Sequence, residues 1–281
     1  MKNFQGRTIL MELTRQNYFS REAENLYMGS SSFKAWDILH GGCEAKQVAI
    51  KKGEWIEKEN PAFLLGSYVH AWSSGDLQEF MSTTPQLFKK NSSELLAKYA
   101  LGDEMINVLR NDPLVEKIRE GAKEQIFTGA IAGVDFKIQV DILNLEKGYF
   151  ADIKTTKNLQ ESYWNKEIRG QETFINKYDY YTQIAIYAEI LKQNIGLVDY
   201  LEPYLIVVDK QEVPDHEVIY MGKNFISDKL AEIENRLSHI TEVRKGLIEP
   251  MYCGKCDYCR SVKKIIKPIS LSEYELELGI Y

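Results

Sequence analysis

The chain has 281 residues, 44% of them hydrophobic and 27% charged, an ordinary balance for a globular protein with one sizeable core. No apolar run approaches the roughly 20 residues of a membrane span, and the start MKNFQGRTILMELTRQ has no apolar stretch ahead of a cleavage site, so a cytoplasmic location is the expectation. The net charge of −6 argues against coating nucleic acid by bulk positive charge, but not against a nuclease, whose clustered acids are offset by a divalent cation.

Residues 1–20 are polar and are expected to be loosely held. In SSSFKAWDILHGGCEA (30–45), serines precede Phe33, Trp36 and Leu39 at helical spacing and Gly41-Gly42 forms a stop, which predicts a serine-capped helix. A second helix is predicted after Pro61, through FLLGSYVHAW, and residues 73–123 read as short helices divided by Ser/Thr/Pro and Asn-Asp-Pro breaks. The basic runs KQVAIKKGEW, LFKKN and CRSVKKIIK are candidate phosphate tracks, although such runs also serve as plain solvated surface.

The period then changes. EQIFTGAIAG predicts a strand and a glycine-bounded turn. In GVDFKIQVDIL, Val134, Phe136, Ile138, Val140 and Ile142 alternate with Asp135, Lys137, Gln139 and Asp141, which predicts a half-buried strand with Asp141 on its polar face. NLEKG separates it from YFADIKTT (149–156), so the two strands are expected to form a hairpin that brings Asp141 and Asp152 to one face. Within the second strand Ala151 and Ile153 face a core, while Phe150, Asp152 and Lys154 share the other side.

Helices are predicted over 159–170 and 176–193, and strands at YLIVVD (204–209) and EVIYMG (217–222). A long amphipathic helix over 223–246 would bury Phe225, Ile226, Leu230, Ile233, Leu237, Ile240 and Val243. The pattern is α/β, a mixed β-sheet flanked by helices. It reads as one domain in three parts: a helical segment (1–60) with Cys43, a core with helical insertions (61–246), and a cysteine cluster with a tail (247–281).

Hydrolysis of a phosphodiester with divalent metal needs hard oxygen ligands and a cation that orients water and stabilises charge on the phosphate. Asp141 and Asp152 supply oxygens, with Lys154 beside them. His70, in GSYVHAW, adds an imidazole, which suits Mn²⁺ better than Mg²⁺. Gln183 and Tyr187, four apart in YYTQIAIYAEI, share a helical face. Each piece alone has an ordinary reading: a solvated strand face, a satisfied histidine, an amphipathic helix.

Their order carries more. Gly66 to His70, then Asp141, then Asp152-Ile153-Lys154, then Gln183 to Tyr187 resembles the RecB-type branch of the PD-(D/E)XK nuclease superfamily. The segments YMGSSSFKAW, CEA, GVDFKIQVDIL, ADIKTT and CGKCDYCR are similar to RecE-like exonucleases of the exodeoxyribonuclease VIII type, from phages and prophages. The resemblance implies a restriction-endonuclease-like core and Mg²⁺ or Mn²⁺ held by His70, Asp141, Asp152 and the Ile153 carbonyl. It makes Lys154 the catalytic lysine and Gln183 with Tyr187 the RecB-motif pair, and it leaves Glu124, on the strand before the hairpin, as a further acid.

The implied activity is a metal-dependent exonuclease that degrades double-stranded DNA ends to expose single strands for recombination, with a single-strand annealing protein as partner. No GxxxxGK[ST] phosphate loop occurs, so the expected reaction is independent of ATP. Ring-shaped oligomers occur among related exonucleases, which keeps a homo-oligomer open, though nothing in the sequence encodes a ring. The competing readings are a CRISPR-associated-type iron-sulfur nuclease acting on single strands, and a non-catalytic, metal-stapled DNA-binding module. The latter would be marked by loss of Asp152 or Lys154, and both are present.

The four cysteines are Cys43, Cys253, Cys256 and Cys259, the last three in C-x-x-C-x-x-C, a spacing that lets three thiolates converge on one metal or cluster. A structural disulfide does not suit a reducing cytoplasm, and Cys43 is the remaining candidate for a fourth ligand. One cysteine before the nuclease core and three after it resembles the iron-stapled RecB-family nucleases, which implies a [4Fe–4S] cluster. The last gap is shorter than in those relatives, so a Cys₄ zinc site stays open.

Overall fold

The computed structural model describes residues 11–57, 61–166 and 168–277; for residues 1–10 the expectation of a loose start lies outside them. Residues 11–20, by contrast, are held. The Tyr27 hydroxyl donates to the Met11 carbonyl and accepts from its N–H, both at 3.1 Å, and Tyr18 is buried. Among the described residues no helix is long and apolar enough to cross a membrane.

The first half is helical: α1 (Arg21–Leu26), α2 (Ser30–Trp36), α3 (Glu44–Lys52), α4 (Pro61–Ser74), α5 (Leu77–Thr83), α6 (Leu101–Arg110) and α7 (Pro113–Ile118). The serines do not cap α2; Gly29 occupies the N-cap position without a side-chain bond, and Ser30 is buried inside the helix. The helix stops at Trp36 because Asp37 turns its carboxylate onto the Leu39 N–H at 3.2 Å, and Leu39 is left exposed. Gly42 then passes so close to the preceding turn that a Cβ would stand 2.5–2.7 Å from the carbonyl oxygens of Lys34, Ala35 and Asp37.

A sheet follows, built from β1 (Ala122–Ile131), β2 (Val134–Asn144) and β3 (Tyr149–Thr156). A small hairpin of β4 (Tyr163–Asn165) and β5 (Gly170–Glu172) leads to α8 (Phe174–Lys177) and α9 (Tyr180–Ile195). The chain finishes with β6 (Glu202–Asp209), β7 (His216–Tyr220), α10 (Ile226–Lys245), α11 (Asp257–Val262) and α12 (Leu271–Glu277). The helix expected over 159–170 is therefore wrong. Tyr163 and Trp164 pair as a strand with Glu172 and Gln171, and Arg169 takes a left-handed φ of 49°, which no helix continues through.

Strand order is β1-β2-β3-β6-β7, antiparallel throughout except for the parallel β3–β6 pair. Helices cover both faces. Leu205 and Val207 of β6 pack into a core shared with α2, α9 and α10, while Ile206 and Val208 face a second core built on α4, α6 and α7. Burial on both faces explains the unbroken apolar run YLIVVD. In β3 the expected split holds: Ala151 and Ile153 lie in the second core, and Phe150 lies in the first.

The polar face of β2 is not solvated as its alternation suggested. The N-terminal segment pairs with the edge of β2 that β3 leaves open, with Met28 N–H to the Asp135 carbonyl at 2.8 Å and Lys137 N–H to the Met28 carbonyl at 3.0 Å, and its preceding residues cover the Lys137 side chain. Lys137 is consequently only 1% exposed; its ammonium pairs with Glu24 at 2.6 Å, donates to the Tyr18 carbonyl and sits 4.6 Å from the Tyr18 ring centre. The alternation also changes side at Asp141. Phe136, Ile138 and Val140 enter the first core, but Ile142 enters the second and Leu143 the first.

Gly42→Ala is expected to destabilise the protein by about 1–3 kcal/mol, because backbone carbonyls cannot yield as a side chain can. The check is a lower denaturant midpoint at unchanged slope; a wild-type midpoint would contradict it.

Candidate functional site

The hairpin ladder between β2 and β3 holds three pairs only: Asn144 with Tyr149, Leu143 with Phe150, and Ile142 with Ala151. The next position in this register sets Asp141 across from Asp152, where pairing has stopped. In place of a strand carbonyl, Asp141 Oδ2 accepts the Ile153 N–H at 2.7 Å. On the other edge of β2, the β1 register sets Glu124 across from Asp141, and Glu124 takes a φ of 52°. A left-handed non-glycine residue in mid-strand costs on the order of 1–3 kcal/mol, a kind of strain that clusters at functional sites.

From α4, His70 brings Nδ1 to 3.3 Å from Asp141 Oδ2. His70, Glu124 and Asp141 thus present donor atoms within 4.8 Å of one another. Asp152, 2% exposed, accepts from Gln183 Nε2 of α9 at 2.6 Å through Oδ1. Its Oδ2 forms an ion pair with Lys154 but no aligned hydrogen bond. The Lys154 ammonium also lies 5.1 Å from the Tyr180 ring centre. Tyr187, one turn beyond Gln183, completes the wall of a cleft of about 440 Å³, with Tyr18, Ser31, Ser32, Lys137 and Gln139 among its other lining residues. The carboxylate oxygens of Glu124 and Asp141 and the His70 imidazole form a donor set that fits a hard divalent cation, while Asp152, paired with Lys154, lies beside that group and not in it.

The charges are strongly coupled. Burial pushes both acids up, yet they separate. At Asp141 the charge and hydrogen bond of His70, with Lys154 and the Ile153 N–H, outweigh burial and hold the carboxyl below its ordinary range. At Asp152 burial wins, reinforced by the Asp141 charge against Lys154 and His70, and the pKa is raised. Burial and then Asp141 push Glu124 up to about 7. Burial disfavours the cations, but Asp152 and Asp141 more than offset it at Lys154, and Asp141 does so at His70; both are raised. A bound cation would reverse this pattern by favouring every carboxylate.

All six expected side chains, His70, Asp141, Asp152, Lys154, Gln183 and Tyr187, therefore line one cleft, with the Ile153 backbone beside them. Glu124, named from the sequence only as a further acid, stands in the same donor group, and Gln139 Nε2 holds it at 2.6 Å. The turn at Ala132-Gly133 sets the β1–β2 register that brings Glu124 to Asp141, so this placement was readable in principle. Tyr18, Lys34 and Tyr180 were missed, since nothing in their local sequence marks them. None of the three basic runs lines the cleft. Lys46 pairs with Glu57 at 2.6 Å, Lys51 donates to the Arg244 carbonyl at 2.8 Å and Lys89 pairs with Glu94 at 2.5 Å.

Away from the cleft, the four cysteines converge, their sulfurs within 4.8 Å of one another. Cys43 and Cys259 are 3.5 Å apart, and Cys253 and Cys259 3.8 Å. Backbone N–H groups of Lys255 and Cys256 point at Cys253 Sγ at 3.4 and 3.3 Å. Those bonds outweigh burial and bring the Cys253 thiol down to about 6, whereas burial drives Cys43 up and Cys259 to about 12. This donor set is compatible with a metal ion or cluster. Beside it, buried Glu44 joins His239 Nε2 at 2.7 Å and the Met251 N–H at 2.8 Å.

Comparison with known proteins agrees with this architecture. A crystal structure of a "Putative exonuclease" from Eubacterium rectale aligns over 94% of this chain and 98% of its own, at 31% identity and a TM-score of 0.85. A structure of the protein SSO0001 aligns over 80% of this chain and 96% of its own, but 16% identity and a TM-score of 0.31 carry no argument. No curated protein matches the sequence. The family model described as a PDDEXK-like domain of unknown function (DUF3799) matches residues 29–262, a span that takes in the whole sheet, the six expected cleft side chains and all four cysteines, and the chain belongs to that family.

Proposed function

We propose that the protein is a metal-dependent, ATP-independent deoxyribonuclease that degrades double-stranded DNA from its ends and exposes single strands for recombination. The observation that carries this reading is the buried Asp152–Lys154 pair at the open end of the β2–β3 ladder. Taking such charges out of water costs several kcal/mol per ion before their attraction offsets it, and a structural strand gains nothing from the arrangement. A non-catalytic module would have no reason to keep it. The 31% identity to a "Putative exonuclease" over nearly the whole of both chains favours end-dependent cleavage over the single-strand trimming alternative. The absence of a GxxxxGK[ST] loop supports independence from ATP.

In this reading His70, Asp141, Asp152 and the Ile153 carbonyl hold Mg²⁺ or Mn²⁺, with Glu124 as a further ligand. The cation, when bound, polarises the phosphoryl oxygens and lowers the pKa of water. Lys154, held by Asp152 and the Tyr180 face, orients the attacking water and stabilises charge developing on the phosphate. Gln183 fixes Asp152 by one oxygen while the other pairs with Lys154. The product, a duplex with a single-stranded tail, suits an annealing or recombinase partner.

The cysteine centre is read as a structural staple. Bonds of about 2.3 Å place the sulfurs of a tetrahedral zinc site about 3.8 Å apart, close to the 3.5 and 3.8 Å seen here. A four-iron cube binds each thiolate to a different iron and needs them farther apart. The spacing therefore favours one tetrahedral ion over the [4Fe–4S] cluster that the resemblance implies.

Asp152→Asn and Lys154→Ala are each expected to lower turnover at least about 10²–10³-fold with the fold intact, the scale of losing one electrostatic group at a reacting centre. Near-wild-type turnover in either would sink the assignment. With Mg²⁺ or Mn²⁺ and no ATP, end-labelled linear duplex should be digested while a covalently closed circle survives; efficient cutting of the circle would replace the exonuclease with an endonuclease. Protein purified without oxygen should be colourless with one zinc per chain, and Cys43→Ser should lower its melting temperature, because the ligand bridges distant segments. Brown protein carrying iron and sulfide would restore the cluster.

A further inference from the structure

A row of tyrosines leads out of the cleft from Lys154. Its ammonium lies 5.1 Å from the Tyr180 ring centre; Tyr180 and Tyr178 are 6.1 Å apart, and Tyr178 and Tyr163 are 6.4 Å apart. Each ring has a lysine over it. Lys34 stands 5.5 Å from Tyr180, and Lys177 stands 3.4 Å from Tyr163 and 5.6 Å from Tyr178. The middle ring, Tyr178, is 44% exposed, and its neighbours are half-buried. We propose that Tyr180, Tyr178 and Tyr163, with Lys34 and Lys177, form a stacking track for the unpaired DNA strand that enters or leaves the cleft at Lys154. This rests on the reading of the protein as a DNA hydrolase.

Bases stack on aromatic faces whatever their sequence, while interleaved cations take the phosphates between them. Electrostatics favour an anion here. Lys34 donates to the Tyr178 carbonyl at 3.0 Å, and burial together with the charge of Lys154, against Asp179 and Asp152, brings its pKa down to about 8, so two ammonium groups share the Tyr180 ring. Of the nearby acids, Asp179 faces Lys34 as a partial counter-charge, with its Oδ2 buried and without a hydrogen bond. Asp179 caps α9 through the Thr182 N–H at 3.3 Å, and Glu161 receives the Tyr163 hydroxyl at 3.3 Å and pairs with Lys157 at 3.3 Å. The track is continuous with the cleft and is assembled from α2, α8, the start of α9 and the β4–β5 hairpin, so the hairpin has a use beyond connecting β3 to α9. The competing explanation is that the rings only brace that hairpin.

Fluorescein-labelled oligothymidylate, titrated by anisotropy with Mg²⁺ against the full chain carrying Asp152→Asn so that nothing is cut, separates the two. Adding Tyr178→Ala should weaken binding about tenfold, and Tyr178→Phe should return it to within about twofold, since the ring and not the hydroxyl stacks. Both variants should melt as the parent does, given the exposure of Tyr178. Unchanged binding by Tyr178→Ala, failure of phenylalanine to restore it, or no binding of oligothymidylate by the parent overturns the track. Digestion of linear duplex by the wild-type chain tests the hydrolase separately: a protein that digests ends but is indifferent to Tyr178→Ala keeps its function and loses the track. One that binds as expected but digests nothing keeps the track and loses the function.

Discussion

The early end of the ladder between β2 and β3 is the constraint on which the rest of the molecule turns. A buried N–H must find an acceptor. Where β2 moves away from β3, the Ile153 N–H takes the Asp141 side chain instead of a strand carbonyl. One bond thus satisfies the backbone and aims a carboxylate at its neighbour across the fork. The far edge of β3 pairs in parallel with β6, and a parallel pair needs a long crossover. That crossover contains α9, which delivers Gln183 to Asp152. The site and the topology are consequences of the same strand geometry.

The open fork would be a poor place for charges if water reached it freely or if it were left dry and unpaired. The N-terminal segment and the start of α2 close one side, and the paired buried groups hold each other in place, with Asp141 pulled down and Asp152 pushed up. Like charges close together in a low dielectric cannot all stay ionised without a counter-charge. A cation is the simplest supplier. The cysteine group adjoins the same arrangement, because the Cys43 N–H donates to the Ala35 carbonyl of α2 at 2.9 Å. Residues 43 and 253–259 therefore meet directly behind the helix that forms the cleft wall. Glu44 repeats the tie with His239 and Met251, two contacts that no spacing in the sequence announces.

The sequence by itself determined the alternation of β2 and β3, the two-sided burial of β6, the buried stripe of α10 and the order of the chemical groups, all set by local period and residue type. Hairpin proximity of Asp141 and Asp152 was legible for the same reason, a short turn between two patterned strands. Tertiary structure alone decided which polar positions stay polar in surroundings. Lys137 alternates as a solvent-facing residue, yet it is buried because a segment more than 100 residues upstream in the chain lies over it. The stretch 159–170 became a hairpin in which Tyr163 packs against Lys177 of α8 and the Tyr178 ring that follows it, and such packing overrides weak local preference. The left-handed backbone at Glu124, the gathering of Lys34 with Lys154 over Tyr180 and the short sulfur–sulfur distances belong to the same class. Each is a relation between positions far apart in the chain, and a pattern that repeats every two or four residues carries no record of it.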